Sequence, residues 1–135
     1  MATITYTVTV ATGTNQYGTG NKFYINGSVS PDLNLIEGNT YIFDQSDSTN
    51  GTHFLAFSTS ANNSPAAPYT TGVTITGTPG TDGKTTIVVA ENAPTLYYYC
   101  TAHAGMGGAA YTLAAGSIST TANFEASFTI DEVIE

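Results

Sequence analysis

Residues 3–10 alternate without a fault: Ile4, Tyr6, Val8 and Val10 fall on one side and four threonines on the other. Successive side chains of an extended chain point to opposite faces, so this run buries one face and solvates the other as a β-strand. A helix would scatter the same residues around its circumference. The rest of the chain repeats the pattern in shorter pieces. Strands are expected at 22–26, 33–36, 40–44, 53–57, 73–76, 85–90, 95–100, 109–114 and 123–130. Asn26-Gly27, Glu37-Gly38-Asn39 and the proline-bearing stretch 58–72 punctuate them. The stretch 12–21, with three glycines, reads as loop. Abundant Thr, Gly, Asn, Ser, Tyr and Val, with little Leu, Lys or Glu, favours strands and turns over helices. About nine or ten short strands with regular turn signals predict an all-β chain, an antiparallel sandwich or barrel.

A chain of 135 residues with a single cysteine forms no internal disulfide. It is long enough to bury roughly two-thirds of its unfolded surface without one. One domain is expected over residues 1–116. A soft junction at 116–121 leads to a C-terminal strand extension, 117–135, where Phe124, Ala126, Phe128 and Ile130 alternate. That extension is expected to pack on the same domain or on a neighbouring subunit, giving a homo-oligomer or larger assembly through terminal strands. Arginine is absent, lysine occurs only at 22 and 84, and the net charge is −8. Such a surface excludes nucleic acid as a partner, because phosphate binding relies on clustered cations. A docking partner is expected to present a basic or apolar face. No segment has the length of a membrane span. The first ten residues carry neither a basic region nor a continuous apolar stretch and do not read as a secretory leader. The expected location is periplasmic if a leader has been removed, and cytosolic or on a virion otherwise.

The chemistry concentrates in Tyr97-Tyr-Tyr-Cys100-Thr-Ala-His103-Ala-Gly-Met106-Gly-Gly108. Within seven residues lie the only cysteine, one of two histidines and the only methionine besides Met1. Together with His53 they make up the ligand inventory of a blue-copper site, two His and one Cys in a plane with a weak axial Met. Alternation places Tyr98 on the face of Cys100, with Tyr97 and Tyr99 on the other. Gly105, Gly107 and Gly108 allow a tight loop. Taken singly, these residues have plainer readings: Cys100 a small buried hydrophobe, His103 a surface residue, Met106 a gap filler. Their convergence in one loop favours the metal. A nucleophilic cysteine with a histidine base leaves Met106 unexplained. Zinc can occupy the same ligands as a substitute, although Met is a poor fourth ligand for it. Asp44 and Asp47 read as turn caps rather than a hard-cation site.

The segment resembles the ligand loop of cupredoxins, and its Cys-x2-His-x2-Met spacing is similar to that of the pseudoazurin and amicyanin branch. The resemblance implies a Greek-key β-sandwich with an extra C-terminal strand. It also implies type 1 copper held by His53, Cys100 and His103, with Met106 axial. The block from Gly38 to Ser58 is also similar to cupredoxin-like modules of marine bacterial and phage proteins, some of them virion proteins. Two positions depart from the family pattern. Phe54 stands where many cupredoxins carry an Asn that braces the cysteine loop, a role open to Asn50. Ala102 stands where the branch has Pro. The expected function is a one-electron carrier without substrate turnover, not an enzyme. Its exit is near His103, with a second route through an outward-facing Tyr99. The rival expectation is a virion or other assembly surface protein built on the same scaffold, with copper optional.

Overall fold

The computed structural model describes residues 1–61 and 67–116. Its strands are β1 (Thr3–Asn15), β2 (Gly18–Ile25), β3 (Ser28–Val29), β4 (Leu33–Ile36), β5 (Thr40–Gln45), β6 (Leu55–Ser58), β7 (Pro68–Tyr69), β8 (Val73–Thr76), β9 (Gly83–Val88), β10 (Leu96–Cys100) and β11 (Gly108–Leu113). They form two sheets, in the orders β3-β2-β1-β5-β9-β8 and β4-β11-β10-β6-β7. This is the expected cupredoxin-like β-sandwich. The expected strand at 123–130 and the extension 117–135 lie outside the described residues.

The core forms where the inward faces meet. Val8, Phe23, Phe43 and Ile87 of the first sheet oppose Leu35, Leu55, Phe57, Leu96 and Tyr98 of the second, all of them buried. The Phe43 and Phe57 rings join the two layers edge to face, 5.5 Å apart, the arrangement their quadrupoles favour. The alternation of β1 is borne out at its centre, where Val8 and Val10 are buried and Thr7 and Thr9 are not.

Two expectations need correction. The sheets are mixed rather than purely antiparallel, because β1 pairs in parallel with β5, and β11 with β4. Between β1 and β5 the chain visits the second sheet as β4 and returns through Glu37-Gly38-Asn39. A strand that re-enters its first sheet after such a crossing arrives in its original direction, which a hairpin cannot achieve. The stretch 12–21 is not a loop but the outer half of the β1–β2 hairpin, paired as Thr12↔Asn21, Gly13↔Gly20, Thr14↔Thr19 and Asn15↔Gly18. Its threonines and glycines lack an apolar face because this half of the hairpin carries no fully buried residue. The turn is set by Asn15, whose side-chain oxygen accepts from the Tyr17 N–H at 2.8 Å, and by Gly18 at φ 110°, a region open mainly to glycine. No helix of the described residues is long and apolar enough to cross a membrane.

Candidate metal centre

Cys100 is the last residue of β10 and pairs with Leu55 at the start of β6. One residue on, the Thr101 N–H donates to the Phe54 carbonyl at 3.0 Å. His53 lies two positions before Leu55. Neighbouring strands run about 4.8 Å apart, so this register sets the His53 and Cys100 side chains together at the end of the second sheet. The backbone at His53 is fixed from the opposing sheet by Gln45 of β5, which is fully buried. Its amide nitrogen donates to the His53 carbonyl at 2.6 Å and to Asn50 Oδ1 at 3.0 Å. Its amide oxygen accepts from the Leu55 N–H at 3.0 Å.

Nothing in the local sequence marks Gln45 as the residue that positions a ligand. The only hint is its odd-numbered place on the buried face of 40–45, where a polar side chain needs partners. We expect Gln45→Leu to strand three buried polar groups and to cost about 3 kcal/mol, read as a lower urea midpoint at an unchanged slope.

Asn50 does not brace the cysteine loop. It sits in the short 3-10 helix Ser48–Asn50, and its amide nitrogen donates to the Val8 carbonyl at 2.7 Å and the Asp47 carbonyl at 3.1 Å. It therefore ties the loop before His53 to β1. Asp47 caps this helix through the Thr49 N–H, and Asp44 accepts from the Ser46 N–H, so both carboxylates serve turns.

The glycine-bearing loop after β10 brings His103 back to the thiol. Cys100 Sγ lies 3.5 Å from His53 Nδ1 and 3.7 Å from His103 Nδ1. The three donor atoms lie within 4.8 Å of one another. The imidazole rings are 4.7 Å apart and tilted by 50°. An ion about 2.0–2.1 Å from nitrogen and about 2.3 Å from sulfur, at angles between tetrahedral and trigonal, holds nitrogen and sulfur about 3.6–3.8 Å apart. The observed separations fit that span. Cys100 is 2% exposed and His53 9%, whereas His103 is exposed.

Met106 is buried in the same core cluster as Cys100. Its backbone carbonyl accepts from the Phe23 N–H at 2.9 Å and from Ser30 Oγ at 3.0 Å. Tyr98 and Cys100 share the core face as expected. Tyr99 does not face solvent: it is 4% exposed, and burial pushes its pKa up. The solvent-facing position expected for it from alternation is therefore not found, although Tyr97 on the same side is half-buried.

The protonation states suit a waiting site. Burial, and after it the charge on His103, pushes the His53 pKa below its ordinary 6.5. Burial pushes the Cys100 thiol above its ordinary 9.0, partly opposed by the backbone N–H groups of Ala102 and His103. Burial thus favours the neutral imidazole at His53 and the protonated thiol at Cys100, and metal binding expels the thiol proton.

The sign of the stability change follows. The folded chain resists protonating His53, so its contribution is present above 6.5 and lost as pH falls through the depressed value. The Cys100 contribution is present below 9.0 and lost as pH rises through the elevated one. We expect the melting temperature of the metal-free protein to fall between about pH 7 and about pH 5. That fall should be smaller in His53→Gln. Melts of both proteins across this range check it.

Fold and centre together define a class: a cupredoxin-like β-sandwich with a His–Cys–His cluster at one end. No protein-family model matches the chain, and no curated protein matches it. Among solved structures it is similar to a blue copper oxidase from Nitrosomonas europaea, at a TM-score of 0.51 and 16% identity over 87% of this chain. It spans only 40% of that protein's chain. At this identity the likeness is one of fold.

Proposed function

We propose that the chain binds copper, which His53, Cys100 and His103 would hold with the Met106 thioether as a weak fourth donor, and carries single electrons. The observation that carries this reading is the pair of short distances from Cys100 Sγ, 3.5 Å to one imidazole nitrogen and 3.7 Å to the other. Two imidazoles, a thiolate and a thioether are the donor set that suits copper. When bound there, copper supplies a one-electron couple.

The chain's own residues do the rest. The paired strands hold Cys100 and His53 so that little needs to move when the charge changes. Burial keeps water from the sulfur. The exposed His103 offers an edge where a partner can approach closely. With a net charge of −8, the carrier suits a partner whose docking face is basic or apolar. The likeness to the blue copper oxidase is one of fold and covers 40% of that chain, so the copper reading rests on the donor set. Zinc is a substitute ligand partner for the same donors.

Copper(II) titration followed by visible absorption tests the reading. An intense sulfur-to-copper band, bleached reversibly by a one-electron reductant, is the expected result. A colourless protein recovered only in large assemblies overturns it in favour of an assembly surface protein on the same scaffold.

A further inference from the structure

Lys22 is one of only two lysines in the chain, yet it is 3% exposed. A buried ammonium is costly unless something holds it. Among the described residues no carboxylate pairs with it. Its Nζ instead donates to the Gly105 carbonyl at 2.7 Å. That carbonyl lies between His103 and Met106. It also accepts from Asn15 Nδ2 at 2.9 Å, so both of its lone pairs are engaged. Gly105 has a φ of 81°, and the Tyr17 side chain closes over it. Without the two donors, little in the backbone chemistry of a glycine resists rotation of this peptide.

We propose that Lys22 is a positioning residue: by gripping the Gly105 carbonyl from the β1–β2 hairpin, it holds the loop from His103 to Met106 in its ligand-ready form before any metal arrives. A loop held in this form would present His103 and Met106 to copper with little rearrangement, a consequence that rests on the copper reading above. Lys22 thus connects the first sheet to the ligand loop, as Gln45 connects it to His53.

The test uses the full chain and three variants, Lys22→Met, Lys22→Gln and Lys22→Arg. In the metal-free protein, 15N relaxation reads the order of residues 103–107. Lys22→Met is expected to drop the order parameters at 103–105 from about 0.85 to below about 0.6, with β5 and β9 unchanged. Lys22→Arg, which keeps a long cationic donor, is expected to restore them. Lys22→Gln, a shorter donor, serves if Lys22→Met does not fold, and is expected to loosen the same residues. In the copper-loaded protein, Lys22→Met is expected to shift the sulfur-to-copper band and the paramagnetic resonance pattern, with Lys22→Arg returning both.

Unchanged order at 103–105 in Lys22→Met and Lys22→Gln overturns the proposal, even if the melting temperature falls. A shifted band with unchanged loop order also overturns it, since the effect would then not pass through the loop. If the wild-type chain gives no cysteine-dependent band, the copper reading fails. The metal-free arm still decides the role of Lys22.

Discussion

Cys100→Ala is expected to abolish the visible band of the copper-titrated protein while leaving the fold in place. The contrast between these two effects makes the substitution decisive. A sulfur-to-copper transition needs the thiolate, and the chain has one cysteine, so no other residue can supply it. The loss should be complete rather than graded. Affinity for copper should fall as well, since two imidazoles and a thioether remain and none of them carries a charge. The structural cost is small by comparison. Cys100 is buried at the end of β10, and its replacement removes a single sulfur atom, worth on the order of 1 kcal/mol of packing. Cys100→Ser sharpens the test, because it restores the volume and offers a hard oxygen. It should bind copper weakly and stay colourless. Absorption, circular dichroism and melting of the two variants beside the wild type separate a lost ligand from a lost fold. A band that persists in either variant removes the centre from this part of the molecule.

Gly107→Ala is expected to cause the largest loss of stability of any single methyl addition in the ligand loop. A Cβ at this position would overlap the Tyr98 carbonyl oxygen and stand 2.6 Å from its carbonyl carbon. The obstacle is backbone in the middle of β10, and Tyr98 is fully buried. No side-chain rotation can relieve the clash, so either β10 or the start of β11 must move. Overpacking of this sort costs about 3 kcal/mol or more, a large share of the roughly 5–15 kcal/mol that holds a domain together. Gly13→Ala is the matched control. Its added carbon meets the Tyr24 hydroxyl at 2.5 Å and Val29 Cγ2 at 3.0 Å, side-chain atoms rather than backbone, which can shift at the cost of the Tyr24 hydrogen bond to the Thr12 carbonyl. Urea unfolding should show a strongly lowered midpoint for Gly107→Ala and a small change for Gly13→Ala. Because Gly107 follows Met106 directly, copper binding should weaken in step with stability. If Gly107→Ala is as stable as the wild type, the close approach of the loop to β10 is not real.

Much of the centre was legible in the amino-acid order. Cys100, His103 and the proposed fourth donor Met106 fall within a span of seven residues, so any fold that ends a strand at Cys100 keeps them near one another. His53 was a weaker inference, since it stands 47 positions from Cys100, and only the β6–β10 register brings it within 3.5 Å of the sulfur. The residues that hold these ligands were not legible. Gln45 is a common polar type, Asn50 was read as a brace for the cysteine loop, and Lys22 stood out only by the scarcity of lysine. Their roles come from carbonyls supplied by distant segments: His53 and Leu55 facing Gln45, Val8 facing Asn50, and Gly105 facing Lys22. Tyr99 was misplaced for a related reason. Alternation tells which residues share a face, but not whether that face is covered.

Taken alone, the sequence determined what is local. Period-two alternation follows from the geometry of an extended backbone, so it marked the strands and the inward side of β1 before any partner was known. The cysteine, histidine and methionine spacing likewise determined which donors one loop can offer. Tertiary structure decided what depends on contact across the chain. It paired β1 with β5 and β4 with β11 in parallel, turned a glycine-rich stretch into a hairpin, and buried a lysine against the ligand loop. Strand pairing and the burial of polar groups are choices among many remote partners. Their energies arise only when those partners meet, and no single segment carries them in advance.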